Sequence, residues 1–179
     1  MESPAHIDRN THQIAAIAAV ALYLGRWRVG VRRQNAQSWE SLIARLRPDW
    51  SASQLSEHFL WKEGLDDATP EETWKRLQGA HGLWAIFQNA SVMLEMADFA
   101  SRNCETVDRV LLEILRSDAM QIRLCVLMAL AQYACSQASE GVRVNAFRAA
   151  SMYTGMAARM TELLQENAAD MLPDFVAAM

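Results

Sequence analysis

Four histidines, three cysteines and one pair of carboxylates are the side chains of this sequence on which chemistry could be built. The histidines are His6, His12, His58 and His81. None stands in His-Glu-x-x-His or Glu-x-x-His spacing, which helical metal sites use to set two ligands on one face. His81 falls on a tryptophan-rich stripe and is expected at the edge of the core. Cys104, Cys125 and Cys135 contain no Cys-x-x-Cys pair, and the last two lie in apolar helical text. They are expected to be buried reduced thiols, neither zinc ligands nor a disulfide frame. Glu95 and Asp98 stand one helical turn apart, the spacing that could pair a general acid with a base. Glu95 sits in apolar text, however, and so does Arg123. Two opposite charges in such surroundings are expected to form a structural ion pair with each other. There is no Gly-x-Ser-x-Gly elbow and no glycine-rich phosphate loop. The expectation is therefore a protein with no catalytic residue, no metal site and no cofactor.

Binding has more material. Met152, Met156 and Met160 recur at helical spacing and could make an adaptable contact surface or plain core. Arg26, Arg28, Arg32 and Arg33 follow an alanine-rich stretch that is uncharged from Ile14 to Leu24, with Tyr23 and Trp27 between. Apolar, aromatic and then basic is the order of a segment that ends on the cytoplasmic side of a membrane. Eleven residues of helix rise about 16 Å, however, against a hydrocarbon core of about 30 Å. Extending the span to Thr11–Val31 reaches about 30 Å but places Arg26 and Arg28 within it, where they would have to snorkel. A helix over 11–33 is thus either buried in the protein or attached to a membrane. With a net charge of −4, nucleic acid is not an expected partner.

The elements that would carry these residues are helices. The 179-residue chain has only seven glycines and four prolines, too few turn residues for a many-stranded fold. Trp39, Leu42, Ile43 and Leu46 give one apolar face to a short helix over 38–47. Ser51 and Gln54 stand in capping-box positions for another that ends at Gly64. Thr69, Pro70 and Glu72 mark the start of a long helix to about Arg102, with Gly79 and Gly82 as the place for a kink. Asn103 closes it. A helix over about 105–116 is expected to turn Val107, Val110, Leu111, Ile114 and Leu115 inward, with Ser117 and Asp118 as its end. Residues 119–135 are apolar on nearly every side and predict a central helix. A polar loop from Ser136 to Gly141 leads to a last long helix over about 142–167, and Pro173 precedes a short tail.

Residues 51–65, Ser-Ala-Ser-Gln-Leu-Ser-Glu-His-Phe-Leu-Trp-Lys-Glu-Gly-Leu, resemble the end of the recognition helix in tetracycline-repressor-type regulators. The resemblance implies an all-α, ligand-responsive regulator that contacts DNA through residues 52–58. The turn before it, Pro48-Asp49-Trp50, departs from the family in having no glycine.

Together these features predict one all-α domain over residues 1–179, an irregular bundle of six or seven helices. The expected function is a non-enzymatic scaffold or adaptor that binds another protein or itself. The interaction candidates are Arg26, Arg28, Arg32, Arg33, Met152, Met156 and Met160. A transcriptional regulator is the alternative, and an enzyme of unfamiliar type the second. Met-Glu-Ser-Pro at the N-terminus lacks the basic segment of a secretory signal. The expected location is the cytoplasm, at the inner face of a membrane if residues 11–33 attach there.

Overall fold

Three long helices follow from the apolar periodicity of the second half of the chain, and they form the core. In a computed structural model, which describes residues 38–47, 69–104, 107–136 and 139–179, every regular element is helical. They are α1 (Trp39–Ile43), α2 (Pro70–Arg76), α3 (Ala80–Asn103), α4 (Arg109–Ser136), α5 (Glu140–Asn167) and α6 (Leu172–Ala178), with a 3-10 turn at Ala169–Met171 before the last. Helices α3, α4 and α5 pack against one another. Helix α2 lies on α5, α1 lies on α3 and α6, and α6 also contacts α5. The all-α bundle is the architecture the sequence predicts. The helix expected over 11–33 and the one following Ser51 lie outside the described residues.

The helix starts are local. The Ser38 hydroxyl accepts from Ser41 N, and the Ser41 hydroxyl accepts from Ser38 N, so α1 begins with a reciprocal capping box. At α2 the Thr69 hydroxyl accepts from Glu72 N, and Pro70 occupies the first turn, where its missing N–H costs nothing. Asp108 opens α4: its carboxylate accepts from Val110 N at 2.8 Å.

The long helix expected from residue 69 onward is two helices. Gln78 N donates to Lys75 O and Gly79 N donates to Trp74 O, the paired bonds of a Schellman end. Gln78 takes the left-handed conformation (φ 49°) and Gly79 follows at φ 75°. The corner is also tight. A Cβ on Gly79 would lie 3.3 Å from the Trp74 ring, which itself rests on Tyr133 of α4 at a centroid distance of 5.6 Å.

Helix α4 departs from expectation in two ways. It runs unbroken through Ser117 and Asp118. Neither polar side chain caps a helix end there. Ser117 accepts from Gln121 Nε2 on the helix surface, and Asp118 is taken by Arg159 of α5. Second, its inward face is Leu112, Leu115, Ala119, Ile122, Val126 and Ala129, all buried. Val110 and Ile114, expected inside, are exposed. Burying a leucine or isoleucine of this face contributes about 1.5–3 kcal/mol, so this face holds α4 to the bundle. The buried residues of α5 include Ala146, Ala149 and Ala150, small side chains that let a neighbouring helix approach closely.

One buried amide ties the segment after α1 and the C-terminal residue to this core. Asn89 of α3 accepts from Arg47 N at 2.9 Å through its carbonyl oxygen. Its Nδ2 donates to the Tyr153 hydroxyl of α5 at 3.0 Å, and that hydroxyl donates to Met179 Sδ at 3.4 Å. The tail after Pro173 is not a plain coil: α6 buries Phe175.

The α2–α3 corner makes a paired prediction. Gly79→Ala puts a Cβ where neither backbone nor Trp74 leaves room, and should lower stability to urea by more than about 1 kcal/mol. Gln78→Gly removes a left-handed penalty and should raise it by roughly 0.5 kcal/mol. Equal stability of the Gly79→Ala variant and the parent would contradict the corner geometry.

Candidate functional site

The carboxylates that could have served as acid and base are both held by arginines. Glu95 of α3 accepts from Arg45 through both oxygens, at 2.5 and 3.0 Å. The Glu95 hydrogen bond raises the Arg45 guanidinium above its ordinary value. Asp98 accepts from Arg116 of α4 at 2.8 and 3.0 Å. The hydrogen bonds to Glu95 thus come from Arg45, where the sequence predicts Arg123. Arg123 is buried on α4, with its guanidinium 5.1 Å from the centre of the Phe87 ring. Phe87 also stacks on Trp84, 5.2 Å between centroids.

Two further arginines join helices. Arg143 of α5 pairs with Glu71 of α2, and Arg159 of α5 with Asp118 of α4. Each pair links a different couple of helices through a single nitrogen–oxygen contact, and half-exposed pairs of this kind add little stability. A cleft of about 350 Å³ opens beside Cys104, Arg109, Glu113 and Arg116, but Arg116 is engaged by Asp98. Among the described residues no group of three or more His, Cys, Asp or Glu side chains converges in a way that could hold a metal ion. His81 is exposed on α3, and Cys135, expected inside, is exposed on α4.

The methionine stripe lies mostly inside. Met156 and Met160 are fully buried in α5, and Met152 is half-buried. Arg26, Arg28, Arg32 and Arg33 lie outside the described residues, as do residues 51–65. No helix among the described residues is long and apolar enough to cross a membrane; the segment 11–33 is not among them.

An apolar surface does occur, on the side of α4 that faces away from the bundle. Val110 is 62 % exposed, Ile114 38 %, Met120 53 %, Leu124 58 % and Met128 46 %. Arg109 and Glu113 are exposed beside Val110, and Arg116 is half-exposed in its pair with Asp98; from Ser117 to Cys135 no exposed residue of α4 is charged. The outer side of α5, by contrast, shows Glu140, Arg148, Glu162 and Glu166. The signal for this surface was present in the sequence. A run apolar on nearly every side describes a helix buried all round, and equally a helix with two apolar faces.

The Asp118 carboxyl offers a check on the α4–α5 pairing. Burial pushes it above the ordinary aspartate range, and Arg159 pulls it part of the way back. A carboxyl that binds its proton more tightly in the folded state favours folding on the acid side of its titration, and that contribution fades as pH rises through it. Arg159→Met should raise the Asp118 midpoint further, as read by carboxyl NMR titration. A midpoint that falls or stays would show that the two are not paired.

No protein-family model, no curated protein and no solved structure matches the chain.

Proposed function

We propose that this chain is a non-enzymatic helical module that binds protein, and that it docks its partner on the outer face of α4. The observation that carries the reading is the row of large apolar side chains exposed on that helix, which past Arg116 has no exposed charge among them. The open area of its five large side chains is about 500 Å², within the range of patches that on soluble proteins are often functional. Solvated helix faces normally carry charge, as the outer side of α5 does. A depletion of charge is what distinguishes the centre of a protein interface. The partner that fits a single straight helix face is another amphipathic helix, laid alongside it.

The rest of the molecule is consistent with a scaffold. Glu95, Asp98, Glu71 and Asp118 each accept from an arginine of a neighbouring segment. That use rigidifies the bundle that presents α4. The same reading places the module in the cytoplasm, at a membrane surface if residues 11–33 attach there.

A photo-reactive amino acid at position 124 or 128 of the full chain, expressed in cells, tests the reading. Irradiation should give discrete protein adducts at both positions, with the attached peptide identified by mass spectrometry. The same group at Glu162, exposed on α5, should give none. Adducts at all three positions, or at none, would overturn the proposal.

A further inference from the structure

The order of residues along the outer face of α4 says more about its partner. Val110, Ile114, Ser117, Gln121, Leu124, Met128, Ala131 and Cys135 follow one another at alternating steps of four and three. All eight are exposed. That is the heptad spacing of a helix seam made to lie along a second helix, with a mean repeat of 3.5 residues. The inward face, from Leu112 to Ala129, keeps the same alternation on the opposite side. One helix thus carries two parallel seams, and the bundle covers one.

From Val110 to Met128 the outer seam reads apolar, apolar, polar, polar, apolar, apolar. It therefore complements its own reverse. We infer that the partner is a second copy of this chain, docked with its α4 antiparallel to the first about a two-fold axis at the level of Ala119. This rests on the reading of the α4 face as a protein-docking surface. In that register Val110 meets the partner's Met128, Ile114 meets the partner's Leu124, and Ser117 meets the partner's Gln121. Met120, at the flank of the seam, comes beside the partner's Met120 next to the axis. Every exposed large apolar residue of α4 before Tyr133 is then covered.

Two features favour this occupant. A two-fold contact needs a self-complementary surface, and the seam has one. The central polar pair also specifies register. Sliding the helices by one heptad, in either direction, would set Ser117 against methionine or isoleucine and Gln121 against leucine or valine, and leave a buried polar group without a partner. In area, the five apolar side chains of both copies amount to about 1,000 Å², the lower bound for a specific interface, before Ser117, Gln121 and Ala131 are added. The geometry thus points to a modest dimer.

The test uses the full-length protein. Light scattering after size exclusion should give twice the chain mass of 20.1 kDa at high concentration and the single mass on dilution. Leu124→Glu should hold it at the single mass with unchanged helicity and melting temperature, because the side chain is exposed in one copy. Cross-linking then reads the register, with the parent chain as control for its own cysteines. Met120→Cys should join to itself through a short bismaleimide. Met128→Cys should not join to itself, since the two positions would lie about 27 Å apart along the helices. An oxidised mixture of Val110→Cys and Met128→Cys chains should form the mixed disulfide.

A chain of single mass at all concentrations would overturn the self-pairing. So would a dimer indifferent to Leu124→Glu, or one in which Met128→Cys joins to itself. The wider reading would fail separately, by the absence of any adduct at positions 124 and 128. A different protein attached at Leu124 of a monomeric chain would overturn the second copy as occupant and leave the docking face standing.

Discussion

A helix packed on one side of a bundle has one face to bury, and α4 carries apolar side chains on two. Leu112, Leu115, Ile122 and Val126 turn toward α3 and α5 and hold the fold together. On the far side, Ile114, Leu124 and Met128 remain in water. Both sets lie on one unbroken 28-residue helix, so neither can be moved without the other. The continuity of α4 past Ser117 and Asp118 is therefore the constraint from which the architecture and the proposed docking surface both follow. A helix broken at Ser117 could have folded its second half across its first and covered the apolar residues internally.

Polar groups set the alignment of the long helices around it. Arg116 to Asp98, Arg159 to Asp118 and Arg143 to Glu71 each join a different couple of elements. Exposed or half-exposed pairs of this kind contribute little net free energy, about 0–1 kcal/mol each, but their directionality selects one register among several that apolar packing would tolerate. Asn89 works the same way in a drier place. It bridges the chain after α1 to Tyr153 of α5, whose hydroxyl reaches Met179. Burial pushes the Tyr153 hydroxyl well above the ordinary tyrosine range, so it acts here as a neutral hydrogen-bonding group.

Much of the fold was legible in the sequence because its signals are local. Thr69 starts a helix where capping chemistry predicts, the apolar face of Trp39, Leu42 and Ile43 marks the one after Ser38, Asn103 ends one, and Gly79 interrupts the pattern at a place only glycine can occupy. What was not legible depends on partners distant in sequence. Ser117-Asp118 resembles a helix end until Arg159, on another helix, takes the aspartate. Glu95 and Arg123 look like mates because each is charged in apolar text. Which cation reaches Glu95 is decided by where the chain after α1 lies, and the structure sets Arg45 against it. The candidate site was missed for a similar reason. Methionines at helical spacing describe the buried Met156 and Met160 as well as the exposed Met120 and Met128, and only the orientation of each helix separates them. Arg26, Arg28, Arg32 and Arg33 lie outside the described residues, so their part in binding stands as an expectation.

The most direct test of the account is whether the outer face of α4 is covered in the full-length protein by something that dilution removes. Methyl NMR with a soluble paramagnetic agent reads this residue by residue, and the buried Met156 and Met160 serve as internal standards. The account predicts that the Met120 and Met128 methyls are shielded at high protein concentration, nearly as well as those standards. They should become strongly relaxed on dilution, while Met156 and Met160 stay shielded. Met120 and Met128 methyls equally open at every concentration, or equally shielded at every concentration, would contradict it.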